Sequence, residues 1–345
     1  MLDPSPLNLG DIDRRTLDNA TFLRWGIARL GQNLATGDPA NADQMLALLR
    51  RLYAAGRHDL ALGRLFEGHV DALQIIERYG SAECVRQARA HARAGASFGV
   101  WNAPWRDKPL VQDGDRLHGG KSFASGAGVL SHALVTLHAG QAEHVQLLLV
   151  DLVATPPCVE TGWWDINGMR DSETHRVYWQ DLPIDRVQPI GTPGDYERLP
   201  WFATGALRFV AVQAGGIAAV FDGVRGHLTA AGRDGDPHQR RRLARLFTLA
   251  QSAAAICRDT RDALFVEPAD RQAAHVAHAR SAIYDLAEEA LVLAQQSVGV
   301  AAHFHAHPLS RVLTDLMVYL RQPAPDAQRM AVAEAAAAGQ LEPAL

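Results

Sequence analysis

The sequence predicts an α+β chain in which N-terminal helices lead into a central β-barrel-like sheet domain and then into a C-terminal helical bundle. Three observations carry this. Apolar residues recur at helical spacing up to about residue 95; short β-rich runs separated by Gly, Pro and Asp replace them from about Ala96 to Pro200; helical spacing then returns and persists. The expected divisions are 1–95 for the helical domain, 96–199 for the β domain, 200–327 for the bundle and 328–345 for an alanine-rich tail.

In the first region Leu23, Ile27 and Leu30 share one helical face. Leu46, Leu49 and Leu52, then Leu60, Leu62, Leu65, Phe66 and Val70, continue the same kind of spacing. Gly56 and Gly80 are expected to interrupt it, with Gly80 as a helix stop and a new helix from about Ser81 and Glu83. The β region contains Trp101, Pro104, Trp105 and Pro109, the turn Asp113-Gly114-Asp115, and the runs ALVTL, VQLLLV and RVYWQDL. Its exit is the proline-bearing stretch 182–200. In the bundle, Asp236-Pro237-His238-Gln239 reads as a helix start, with Asp236 as N-cap, Pro237 at the first helical position and Gln239 reaching back to the cap. A second long helix is expected over about 275–298, and a third from Pro308 to a break near Pro323 and Pro325.

Composition narrows the function classes. A chain of 345 residues that is 48% hydrophobic and 21% charged can bury a large core. A formal net charge of -4 does not draw it to a polyanion, so no nucleic-acid partner is expected. Cys84, Cys158 and Cys257 are far apart and form no CxxC pair; with no cleavable apolar leader in view, they fit a reducing cytoplasm. The apolar run Val145–Val150 is the length of a buried strand, and no membrane span is expected.

The segment GGKSFASGAG, residues 119–128, is the most informative in the chain. Four glycines in ten residues leave backbone amides open to a ligand, and Phe123 and Ser125 share a face if the segment is extended. A ring beside a hydroxyl suits a planar heterocycle; the plainer alternative is a tight turn that needs its glycines for positive φ. Neither GxxxxGK[ST] nor GxGxxG is present. His303, His305 and His307 lack a further ligand at metal spacing and read as polar or helix-terminal residues, while His69 reads equally as a packed or a catalytic histidine. Arg240, Arg241 and Arg242 read as a solvated face before a phosphate site. Glu288 and Glu289 are adjacent and do not converge on one substrate atom, and no serine stands in a GxSxG elbow.

Taken in order, GGKSFASG, LALGRLFEGHVDALQIIERYG at 60–80, ASFGVWNA at 96–103, NGMRDSETHRVYW at 167–179 and HPLSRVLTDLMVYLRQPAPD at 307–326 resemble the acyl-CoA dehydrogenases and their wider superfamily. The resemblance covers roughly 57–326 and implies a flavoprotein oxidoreductase with FAD, which passes hydrogens from an acyl-CoA thioester or related small molecule to the flavin. It also implies a homodimer or homotetramer and a shortened N-terminal domain. By motif, Phe123 lies against the isoalloxazine and Ser125 meets its N5/O4 edge. Gln296 and Gly299, in QSVG, match the element that holds the FAD phosphates of the adjacent subunit, with Val300 where the family has a second glycine. GVWNAPW replaces the family's GSD-bearing segment, so Trp101 and Asn102 are the candidates to compensate by stacking and hydrogen bonding. The family's catalytic glutamate is missing: the region reads Tyr319-Leu320-Arg321-Gln322-Pro323, and Asp326 is the nearest carboxylate. Two alternatives follow from that departure. One is a superfamily member that uses reduced flavin and oxygen on small aromatic or sulfur compounds; the other is a catalytically degenerate homolog that acts as a binding or structural subunit.

Overall fold

The structure, a computed structural model, describes residues 14, 16–138, 144–321 and 324–343. In chain order the helices and strands are α1 (Asn19–Gly31), α2 (Ala42–His58), α3 (Leu60–Tyr79), α4 (Ala82–Arg93), β1 (Phe98–Trp101), β2 (Val111–Asp113), β3 (Arg116–Ala124) and β4 (His132–His138). Next come β5 (Val145–Asp151), β6 (Cys158–Glu160), β7 (His175–Pro183), β8 (Val187–Ile190), α5 (Trp201–Thr204), α6 (Leu207–Ala230), α7 (Pro237–Val266), α8 (Ala269–Val298), α9 (Pro308–Tyr319) and α10 (Pro325–Ala337). They form two compact units. The sheet unit comprises Met1–Pro39, Arg64–Ile166 and Arg170–Phe202; the helical unit comprises Ala40–Gly63, Asn167–Met169 and Ala203–Leu345.

In the sheet unit, the strands form two four-stranded sheets, ordered β1-β4-β5-β8 and β2-β3-β7-β6, with β1 and β4 parallel and the other pairs antiparallel. Ala72, Leu73 and Ile76 of α3 and Cys84 and Ala88 of α4 pack on Phe98, Leu134, Leu147 and Ile190 of the first sheet. Burial of that apolar face is what holds two amphipathic helices against the strands. Gly80 ends α3, its amide bonded to the Ile76 carbonyl, and Ser81 caps α4 by accepting from the Cys84 amide.

In the helical unit, Gly56 does not interrupt α2. It lies inside the helix because α6 comes so near that a Cβ on Gly56 would stand 2.1 Å from the Val212 carbonyl oxygen. Gly215 on α6 faces the Tyr53 carbonyl oxygen at the same 2.1 Å. Two glycines thus let the helix backbones touch. The stretch Trp201–Ala230 is long and apolar enough to cross a membrane, but 72% of its most apolar window is buried within the fold, as in the central helix of a bundle. Asp236 caps α7 with Pro237 in its first turn, whereas Gln239 turns inward, 2% exposed, and donates to the Ser297 carbonyl instead of closing on the cap. The alanine-rich segment set apart as a tail is largely the helix α10, which buries Ala335 and ties Arg329 to Asp285 of α8.

Candidate functional site

The end of the β3–β7 pair holds the segment singled out above. Gly119 and Gly120 are packed closely against neighbouring backbone, and the Gly120 amide is not open to a ligand. A Cβ on Gly119, whose φ is +98°, would meet the Pro109 carbonyl oxygen at 2.0 Å, and one on Gly120 would meet the Val177 carbonyl oxygen at 2.0 Å. The Gly120 amide is already bonded to the Lys108 carbonyl. These glycines serve close chain packing.

Past Lys121 the register slips: Lys121 pairs with Val177, but Ala124 pairs with His175, so β3 carries one extra residue. Phe123 occupies this bulge with a left-handed φ of 53° and stands 55% exposed, its ring edge-on to Trp163 at 4.9 Å and to Trp164 at 6.3 Å. The bulge re-aims one side chain outward. Because the chain turns here, with the Ser125 amide bonded to the Phe123 carbonyl, Phe123 and Ser125 do not share the face that an extended segment would give them. Ser125 is buried, and its hydroxyl oxygen accepts from Thr174 at 3.0 Å, while Thr174 and Ser172 share a 2.7 Å hydrogen bond.

Trp101 lies beneath this ledge, 1% exposed, and its indole N–H donates to the Ser125 carbonyl at 2.9 Å. It therefore positions Ser125 and presents no ring for stacking. Asn102 is exposed at the end of β1, and its carbonyl accepts from the Thr136 hydroxyl at 3.0 Å. Behind it, the buried Lys121 ammonium donates to Thr136 at 2.7 Å, and burial lowers its pKa to about 8. In the segment that leads into β7, Glu173 also adopts a left-handed φ, 45°. Its carboxylate takes the Asn19 amide at 2.6 Å and the His175 Nε2–H at 3.0 Å. Two non-glycine residues in this costly conformation, on adjoining segments, mark the edge as a place where geometry is imposed. Beside them the Arg176 guanidinium lies over both Trp105 and Trp163, 4.9 Å from each ring centre.

Sequence reasoning brought out Phe123, Ser125, Trp101 and Asn102, and the structure brings these four together. It missed Lys121, Glu173, Thr174, His175 and the Trp163-Trp164 pair. The available signal was the polar run Asp171-Ser172-Glu173-Thr174-His175 directly before a strand.

The remaining candidates belong to the helical unit. Gln296 is exposed near the end of α8, and Gly299 closes that helix with a φ of 74° and its amide on the Gln295 carbonyl. Among the described residues, apart from its chain neighbours, none lies within 4 Å of where a Gly299 Cβ would be, and Val300 is 75% exposed. Asp326 sits in the first turn of α10 with a side chain 92% exposed and paired to Arg329 at 3.2 Å. So exposed a carboxylate lacks the enclosure of a catalytic site. Gln322 and Pro323 lie outside the described residues. His307 caps α9 by accepting from the Leu309 amide and meets His227 at 3.1 Å. Among the described residues no group of three or more His, Cys, Asp or Glu is placed to hold a metal ion.

No family model matches the chain, and no curated protein matches it in sequence. Solved structures do. The nitrososynthase from Micromonospora carbonacea var. africana is similar with a TM-score of 0.75 and 21% identity over 98% of this chain and 97% of that one. Dibenzothiophene monooxygenase (TdsC) from Paenibacillus sp. A11-2 is similar with a TM-score of 0.73 and 18% identity over 94% and 97%. Butyryl-CoA dehydrogenase from Megasphaera elsdenii is similar with a TM-score of 0.74 and 14% identity over 97% and 94%. Likeness along nearly the whole chain, at identities this low, establishes architecture: the chain has the acyl-CoA dehydrogenase fold.

Proposed function

We propose that this protein is a flavin-dependent oxidoreductase acting on a small organic molecule, and that its chemistry is oxygenation in preference to acyl-thioester dehydrogenation. The observation that carries the flavin reading is the β3 bulge, which turns Phe123 outward directly above a buried serine, with Trp101 and Thr174 fixing that serine from two sides. An exposed ring edged by two indoles suits a planar heterocycle, and Ser125 accepts from Thr174, which leaves its own hydroxyl hydrogen to donate to a ring heteroatom. When bound, the flavin supplies two-electron redox chemistry. Phe123 then supports its ring, Ser125 sets its orientation, and Asn102, anchored through Thr136 and Lys121, offers an exposed amide at the end of β1.

Dehydrogenation of an acyl thioester needs a carboxylate to take the α proton. Asp326, solvated and ion-paired with Arg329, does not supply one, which favours the oxygenase reading. TdsC, a monooxygenase that has been crystallised with FMN, is consistent with this and with FMN in place of FAD. Val300, standing at the family's second phosphate-binding glycine, supports the same choice of the smaller nucleotide. A homo-oligomer remains part of the proposal by analogy with the family's shared cofactor sites, and the cytoplasm remains the proposed setting for three unpaired cysteines.

The test is spectroscopic. The purified protein is titrated with FMN and with FAD, desalted, and scanned for flavin absorbance; retention of FMN, lost at least about tenfold in affinity in Phe123→Ala, is expected. Oxygen uptake with reduced flavin, without turnover of acyl-CoA thioesters, separates oxygenation from dehydrogenation. A spectrum that stays blank with both nucleotides overturns the flavin reading and leaves a degenerate binding or structural homolog.

A further inference from the structure

A second site lies in the sheet unit, away from the β3 ledge. A cavity of about 1060 Å³ opens between the end of α1, the middle of α3, the end of α4 and the strap of residues 31–37. It is slightly larger than the roughly 300–1,000 Å³ usual for small-molecule pockets. None of its walls comes from β3. Ile27, Val70 and Leu73 give it an apolar floor.

One polar group in that floor is unusual. His69 is 5% exposed, and its Nδ1 accepts from the Phe98 backbone amide at 3.2 Å. A ring nitrogen that accepts an amide hydrogen carries none of its own, so the proton of this neutral imidazole sits on Nε2. That Nε2–H has no hydrogen-bond partner among the described residues. It points toward Gly31, where a Cβ would lie 3.7 Å away, and both residues line the cavity. His69 Nε2 is not among the fully enclosed side-chain atoms that lack a partner, so it reaches the cavity space, where its hydrogen can be donated to a ligand oxygen.

The walls are held in place. The Glu77 carboxylate takes Arg89 in two hydrogen bonds of 2.5 Å and also the Thr36 hydroxyl, and Arg78 pairs with Asp38, which ties the strap to the last turns of α3. Within the strap Asn33 adopts a left-handed φ of 57°. At the rim Arg93 is exposed and enters no ion pair with the described residues, whereas its neighbour Arg89 is neutralised by Glu77. One free cation therefore faces the mouth, and one free donor faces the floor.

We propose that this cavity binds a small amphiphilic carboxylate, its apolar body over Ile27, Val70 and Leu73, a phenolic or carbonyl oxygen accepting from His69 Nε2, and its acid group on Arg93. The site is independent of the flavin ledge. A fluorescent naphthoate with its hydroxyl and carboxylate on opposite rings is the probe, titrated into the full-length protein by fluorescence and by calorimetry. Saturable one-to-one binding is expected, weakened at least about tenfold in Arg93→Ala, and by a similar factor for the naphthoate that lacks the hydroxyl. Ala28→Trp, which fills the cavity from the α1 wall, abolishes binding, while Phe123→Ala leaves it unchanged. The change of ligand needs no altered protein, so the role of His69 is tested even if a substitution there disturbs folding. Absence of saturable binding, equal affinity for the two naphthoates, undiminished binding in Ala28→Trp, or loss of binding in Phe123→Ala each overturns the site.

Discussion

Asp315 in the helical unit and Lys121 in the sheet unit bury charge in opposite ways. In the helical unit Asp315 is 5% exposed and lies among complementary groups: its carboxylate accepts from the Met169 amide at 2.5 Å and from Arg311 at 3.2 Å. Arg311 continues to Asp59 at 2.9 Å, and Asp59 caps the start of α3 through the Leu62 amide. Burial raises the Asp315 pKa, and the Arg311 charge works against that rise. In the sheet unit Lys121 is 1% exposed and meets only neutral oxygens, those of Thr136 and Asn102, while His69 is buried against apolar rings and one amide. A charge buried with its counter-charge belongs to a clasp that holds segments together. A charge buried without one costs stability, and it is retained where it imposes a geometry, here on Asn102 beside the candidate site.

The largest effect should come from breaking the clasp. Asp315→Ala strands the Met169 amide and breaks one of the two ion pairs of Arg311, and a loss of about 3–5 kcal/mol in urea unfolding is expected. A loss under about 1 kcal/mol would show that water replaces the carboxylate and would erase the contrast between the units.

A smaller effect concerns His69, whose pKa burial lowers from 6.5 to about 4. Between these values the unfolded chain binds a proton that the folded chain refuses. Stability is therefore complete above pH 6.5 and falls as the pH drops through that window, by about 3 kcal/mol at its lower end. Unfolding midpoints measured across that range should fall less steeply in His69→Gln, and parallel curves would mean that His69 is already solvated.

Lys121 gives the smallest effect and the opposite sign. Its folded pKa of about 8 lies below 10.5, so at neutral pH the native state carries an ammonium that would be better solvated in the unfolded chain. Lys121→Met is expected to raise stability at pH 7 by about 1–2 kcal/mol while weakening flavin binding. As pH rises from about 8 to 10.5 the wild-type protein recovers this deficit, so the two should converge. Destabilisation by Lys121→Met at neutral pH would show that the bonds to Thr136 and Asn102 outweigh desolvation.

Local chemistry made much of the fold legible. Gly80 as a stop, the Ser81 and Asp236 caps and the apolar spacing of α1, α3 and α9 are all determined within a few residues of themselves. What escaped depends on distant partners. Gly56 reads as a breaker until α6 is seen against it, and Gln239 reads as a cap residue until the Ser297 carbonyl is found across from it. At the site, Phe123 and Ser125 were legible as residue types, but the outward turn of Phe123 comes from a bulge that exists only against β7. Trp101 reads as a ligand contact because nothing in GVWNAPW shows that its N–H is consumed by the Ser125 carbonyl. Glu173 and Thr174 gain meaning only from Asn19 and Ser125, both far away in the chain.

The division of the chain between its units bears on synthesis. The helical unit begins with Ala40–Gly63 and then waits for residues after Ala203. Val212 and Gly215, which fit against Gly56 and Tyr53, leave the ribosome about 150 residues after α2, a delay on the order of ten seconds at ordinary translation rates. Throughout that interval Leu48, Leu49 and Leu52 have no native partner helix to cover them. The nascent chain thus carries an apolar helix face through nearly half of its own translation, which makes α2 a segment in need of chaperone shelter.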